Sequence, residues 1–255
     1  MLSRFRLTTT LARMLEELGV SPADVLSHAG LPAAFFDQEK ILVTTEELFA
    51  LYRGLADASR DPALALKLGT EHRIERYDPI AITAVSARSF RDALERLARF
   101  KQLSCPEELH VTERADEARV EFRYLLAQET EPPMLVDLAF SWVVGIARRG
   151  TDGLINPRRL ELRAANGDRE MYEAHFGCPA KFGAQHNAIV FARVDLDRPF
   201  LTYNADLLAT VAPQLEAELQ QARATRAIGT RVKAIVKPPK SGLEGARPSA
   251  SAAWG

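Results

Sequence analysis

The sequence predicts an α+β fold: a helical N-terminal part followed by a small, mainly antiparallel sheet packed with helices. Three observations predict it. In the first third, apolar residues recur at helical spacing between capping residues. After Cys105-Pro106 the period drops to two, in runs parted by the polar Ala115-Asp116-Glu117. From Arg159 onward, short strand and helix patterns alternate, which places sheet and helices in one α+β unit.

Leu11, Met14, Leu15 and Leu18 make one apolar helix face, with threonines before it and Gly19 after it. Ser21 can cap the next helix, Pro22 suits its first position, and Gly30 closes it. Thr44 and Glu47 are spaced as a capping box, with Leu48, Leu51, Tyr52 and Leu55 as the stripe behind it. Asp61-Pro62 opens a short helix that ends at Gly69, and Ser89 with Asp92 forms a second box ahead of Phe90, Leu94 and Leu97.

Leu109 and Val111, then Val120, Phe122 and Tyr124, alternate with polar neighbours and predict a β-hairpin. Pro132 and Pro133 open a long helix through Trp142 to Arg149. Its apolar residues lie on nearly all sides, so it belongs at the centre of the fold. Arg159 to Arg163 alternates, with Leu160 and Leu162 inward. Asp168 caps a helix carrying Met171, Tyr172 and Phe176, and Ala188 to Ala192 is a strand with Ile189 and Phe191 on one face. Asn204 caps a last helix running to about Ala224.

The chain has 255 residues, 47% of them hydrophobic, enough for a real core. A net charge of −1 with no basic domain-sized block argues against a nucleic-acid surface. Cys105 and Cys178, the only two cysteines, read as reduced thiols of a cytoplasmic protein. The N-terminus has no signal-peptide run, and the apolar stretch from Met134 to Ala147 is broken by Asp137 and Ser141, so no membrane span is expected.

No phosphate loop, dinucleotide fingerprint or serine elbow is present, and no catalytic residue or cofactor is assigned. His175, Cys178 and His186 suit zinc chemically, but their spacing fits no closed zinc motif, and no metal site is assigned. Arg148-Arg149 ends the long apolar helix and reads as a pair interacting favourably with that helix's C-terminus. Arg91, Arg96 and Arg99, with Glu95, read as a solvated charged face. Trp142 and Tyr124 put large amphipathic rings on apolar elements and are the candidate wall of a small-molecule pocket. Phe176, Gly177, Pro179, Phe182 and Gly183 read as a structural turn: the glycines take backbone angles closed to other residues, the proline fixes the bend and the phenylalanines anchor it.

Four segments, in order, resemble one family. They are LEELGVSPADVLSHAGLP; Asp61-Pro62-Ala63-Leu64-Ala65-Leu66-Lys67-Leu68-Gly69; Ser89 to Leu94 with Leu97-Ala98-Arg99-Phe100; and Phe176-Gly177-Cys178-Pro179-Ala180-Lys181-Phe182-Gly183-Ala184 with Asn187, followed by the exit Leu196-Asp197-Arg198-Pro199. Together they resemble the arabinose-binding-like sensing domain of AraC/XylS-type transcription regulators, over roughly residues 8 to 224. The resemblance implies a ligand-sensing and dimerisation domain (1–224) that binds a small-molecule effector, forms a homodimer, and reaches DNA only through a helix-turn-helix half. The expected lead-in to that half, Arg231 to Val236, meets Pro238-Pro239. Residues 225–255 are therefore expected to be a linker remnant and disordered tail, with the DNA-binding half absent. The alternative expectation is an orphan interaction domain that pairs with an intact regulator.

Overall fold

The computed structural model describes residues 4–7, 10–70 and 77–236, with side chains through residue 224. The N-terminal part is helical: α1 (Leu11–Glu17), α2 (Pro22–Ala29), α3 (Thr45–Ala58), α4 (Leu64–Gly69), α5 (Pro79–Val85) and α6 (Phe90–Phe100). The helix starts follow the side chains. Ser21 accepts the Asp24 amide at 3.3 Å, and Thr44 and Glu47 exchange both bonds of a capping box. The Ser89–Asp92 box is only half made: Ser89 accepts the Asp92 amide, while the Asp92 carboxylate turns back to the Arg88 amide.

Two short strands in this part, β1 (Phe5–Leu7) and β2 (Ile41–Val43), pair antiparallel and were not expected. Each has only three residues, with the two ends buried and the middle exposed, too short to show a period.

The main sheet has the order β3-β4-β7-β5-β6: β3 (Glu107–Arg114), β4 (Glu117–Tyr124), β5 (Arg159–Leu162), β6 (Ala180–Phe182) and β7 (Ala188–Ala192). All pairings are antiparallel except β5 with β6, where α8 (Arg169–Phe176) makes the crossover. The fold class is thus as the sequence predicts. The hairpin turns at Ala115, but Val111, expected inward, is 38% exposed because β3 is the sheet's edge. Ala188 through Phe191 are all buried: Ile189 and Phe191 face the core, and Ala188 and Val190 lie beneath the ion pairs of the flanking strands. The strand β6 was also missed. It is three residues long and pairs only along the edge of β5.

The core forms two clusters, and α7 (Pro133–Thr151) touches both. Val136, Phe140, Val143 and Val144 enter the larger cluster under the sheet, and Leu135 enters the cluster of α1 to α3. Near the seam α4 packs on α7, where Gly69 lets the backbones meet: a Cβ there would sit 2.5 Å from the Ser141 Cβ. The outer face of the sheet is ionic. Arg119 bridges Glu121 and Glu161, and Arg159 bridges Glu117 and Glu161. The arginines of α6 do more than face solvent, since Arg91 ties Glu113 to Asp197 and Arg99 pairs with Glu216.

The last helix, α9 (Ala205–Val236), starts at Asn204, whose side chain accepts the Leu207 amide at 2.9 Å. It passes the expected end near Ala224. Between there and Val236 only Gly229 weakens a helix, at a cost of about 1 kcal/mol, too little to end one. The rest of the expected tail, residues 237–255, lies outside the described residues. No helix among the described residues is long and apolar enough to cross a membrane.

Candidate functional site

A crevice of about 160 Å3 opens at the seam, lined by α1, α3, α7 and the segment from Lys101 to Glu107. That volume is close to the roughly 150 Å3 known to admit a benzene-sized molecule. Six leucines line its walls, among them Leu11, Leu48 and Leu135. Against them stand a few polar groups: Tyr52, Asp78, Lys101, Cys105 and Glu107, with Trp142 alongside. An apolar chamber with few polar groups is the usual form of a small-molecule site.

At its polar end lies a nearly buried ion pair. Lys101 Nζ is 2.9 Å from Glu107 Oε1, and the two side chains are 14% and 2% exposed. The same ammonium sits 4.1 Å from the centre of the Trp142 ring, a cation–π contact. Burial alone lowers the lysine pKa, but the carboxylate of Glu107 outweighs it and holds it up at about 12. Lys101 therefore stays charged at neutral pH. Burial, reinforced by Glu107, pushes the Cys105 thiol well up despite the opposing pull of Lys101. That thiol is protonated and a poor nucleophile. Burial, with Cys105 and Glu107 nearby, likewise raises Tyr52.

Of the two residues expected to wall a pocket, Trp142 lines the crevice, whereas Tyr124 does not and lies beside Glu107. Trp142, half-buried on α7, stacks on Lys101. Tyr124 ends β4 directly across from Glu107, which begins β3. The Tyr124 ring meets Phe49 edge-on at 5.2 Å. Its hydroxyl is buried beside the Glu107 carboxylate, yet no partner lies at good hydrogen-bonding geometry. Burial first, then Glu107 and Cys105, push its pKa far up. Lys101, Glu107 and Tyr52 were missed as site residues. One signal existed: Glu107 is in phase with Leu109, so the inward face of the strand begins with a charge.

The expected turn residues lie elsewhere, between α8 and β6. Phe176 is fully buried, and Phe182 packs edge-on against Tyr172 at 5.6 Å. Gly177 and Gly183 have φ of +72° and +70°, and the Pro179 carbonyl accepts the Leu160 amide at 2.9 Å. Arg148 reaches this turn from α7. It donates to the carbonyls of His175 and Phe176 at 2.9 and 2.8 Å, so it serves the C-terminus of α8 rather than its own helix. Arg149 is exposed.

His175, Cys178 and His186 sit in three different settings. His175 Nε2 is 3.1 Å from the Ser141 hydroxyl, and burial together with Arg148 keeps its pKa low. Cys178 is buried in the larger core, which pushes its thiol up to about 11, and His186 lies along the ionic outer face of the sheet.

Residues 19–200 match the family model described as the arabinose-binding domain of AraC transcription regulator, N-term. No curated protein matches the chain. Among solved structures, the fold is similar to that of the transcriptional regulator CdpR from Pseudomonas aeruginosa, with a TM-score of 0.58 and 19% identity. That match covers 83% of this chain and 64% of the CdpR chain, so the chain spans less than two thirds of that regulator's length.

Proposed function

The chain belongs to the family of AraC arabinose-binding domains, and we propose that it is the effector-sensing domain of a transcription regulator, with its effector site in the seam crevice. One observation carries the placement: the crevice is walled by the smaller core cluster, with Tyr52 and Leu11, and is bordered by Trp142, which packs against the larger one. A ligand that contacts both clusters binds one of their arrangements better than another and so shifts the population between them. We assign the chain no catalytic role, since Cys105 is held protonated and the other polar groups serve binding. In this reading the domain is cytoplasmic and homodimeric, and it acts on DNA only through a helix-turn-helix half.

A melting screen over amino acids, small organic acids and sugars tests the reading. A true effector raises the melting temperature by linkage. In a Trp254→Phe background, which leaves Trp142 as the only tryptophan, the same compound changes the fluorescence. A hit that shifts melting but leaves Trp142 fluorescence unchanged removes the seam crevice from consideration. If no compound shifts melting while the chain pairs with an intact regulator, the sensor reading gives way to an interaction domain.

A further inference from the structure

A second concavity lies away from the seam and is larger, at about 580 Å3. That is within the range of roughly 300–1,000 Å3 typical of metabolite sites. It opens between the start of α7, the end of β5 and α8. Its walls are apolar: Pro132, Pro133, Val136, Leu162 and the Tyr172 ring. Its floor is a carboxylate. Asp137 is 7% exposed and lines the cleft, and the Tyr172 hydroxyl donates to it, 2.9 Å from each oxygen.

One hydroxyl proton leaves most of a carboxylate's accepting capacity unused. Among the described residues no lysine, arginine or histidine pairs with Asp137. The two guanidiniums lining the cleft are engaged elsewhere, Arg53 with Glu129 at 2.7 Å and Arg163 with Glu131 at 3.8 Å. Asp137 is therefore the carboxyl group of the cleft that lacks a cation, and burial holds its pKa up at about 7. A buried carboxylate without a cation is costly, and the cost is relieved either by taking up a proton or by a cation that brings its own donors.

We propose that this cleft binds a small organic amine, whose ammonium pairs with Asp137 and whose apolar body lies against Tyr172, Pro133 and Leu162. The ammonium supplies donors to the free lone pairs of the carboxylate. The site is separate from the seam crevice and does not rest on the sensor reading.

Titration calorimetry at neutral pH with benzylamine, benzyl alcohol and benzoate tests it. Benzylamine binds saturably at one site per chain, and the alcohol and the acid bind at least about tenfold more weakly. Asp137→Asn weakens benzylamine by about tenfold or more, because the charge partner is gone. Ala164→Trp, which puts a ring into the cleft without touching the carboxylate, blocks binding as well. Trp142→Phe, at the seam, leaves it unchanged. The proposal is overturned by the absence of saturable benzylamine binding, by equal binding of the alcohol, by survival of binding in both cleft variants, or by its loss in Trp142→Phe.

Discussion

Lys101 and Glu107 form an ion pair at the bottom of the seam, 2.9 Å apart, with the carboxylate 2% exposed and the ammonium against the Trp142 ring. The two ends are not equivalent. The Lys101 side chain keeps 14% of its surface in water, whereas Glu107 has no route to solvent without moving β3. Removing the lysine strands a buried charge, and removing the glutamate leaves a flexible cation that can turn outward. Lys101→Met is expected to cost about 3–5 kcal/mol of stability and Glu107→Leu distinctly less. The double variant should recover most of the loss, because neither charge remains buried. Urea denaturation of the four proteins gives the coupling directly. Single costs that simply add would show that the pair contributes nothing.

The α8–β6 turn makes a sharper statement about backbone. A Cβ on Gly183 meets nothing within 4 Å, so any cost of Gly183→Ala is conformational and comes from φ of +70°. About 1 kcal/mol is expected. Gly183→Asn should cost less, since asparagine tolerates the left-handed region better than alanine. Gly177→Ala carries the same strain and also brings the new methyl 3.6 Å from the Arg148 guanidinium. Thermal melts of the three variants rank them. If Gly183→Ala is as stable as the parent, the turn does not hold that angle in solution.

What could be read in the sequence follows from element length and from whether a signal is local. Thr44 with Glu47, Ser21 before Pro22, and the all-round apolar helix from Pro133 are local signals, and each marks an element that forms. The strands β1, β2 and β6 have three residues each, and a period of two cannot be read in three residues. Of the candidate crevice, the sequence shows one lining residue, Trp142. Trp142 and Tyr124 stand out as large rings on apolar elements. Lys101 follows a charged helix and looks like one more surface cation. The Glu107 carboxylate and the Trp142 ring turn it inward, and those contacts depend on tertiary packing. Arg148 shows the same limit: a helix C-terminus was the right partner type, but the helix is a different one.

Arg148 therefore has a structural task that can be measured. Two of its nitrogens hold the terminal carbonyls of α8, and a third donates to Asn156 at 2.9 Å. Its half-buried guanidinium makes charge-assisted bonds, each worth roughly 1.5–3 kcal/mol when unscreened. Partial exposure reduces that, and Arg148→Met should cost about 2 kcal/mol in all. Arg148→Lys should recover little, because one ammonium cannot span two carbonyls and an amide as a planar fork does. Hydrogen exchange should rise first at the Gly177 amide, which bonds to Glu173 at the same helix end. A lysine variant as stable as the parent would mean that charge alone, not the fork, matters here.

Asp137 predicts a pH dependence of unusual sign. Most folded carboxylates have lowered pKa values, and their proteins lose stability in acid. Burial raises Asp137 from 3.8 to about 7, and the Tyr172 hydroxyl only partly offsets this. Between those values the folded chain holds a proton that the unfolded chain has released. Stability from this group therefore falls as pH rises from about 4 to about 7, and stays at the lower level above that. The neighbours facing Asp137 do not mask this. Tyr172 is raised far above neutrality, so it does not titrate here. His175, one turn along α8, has a lowered pKa and works in the opposite direction, with stability falling as pH drops below its unfolded value. Comparing the parent with Asp137→Asn at each pH cancels the histidine and the rim charges. The asparagine keeps the shape and an acceptor for Tyr172 but carries no proton to lose. It should gain on the parent by a few kcal/mol at pH 8 and by little or nothing at pH 4. A stability difference that does not change between those two pH values would show that Asp137 titrates at its ordinary value and that the cleft floor is solvated.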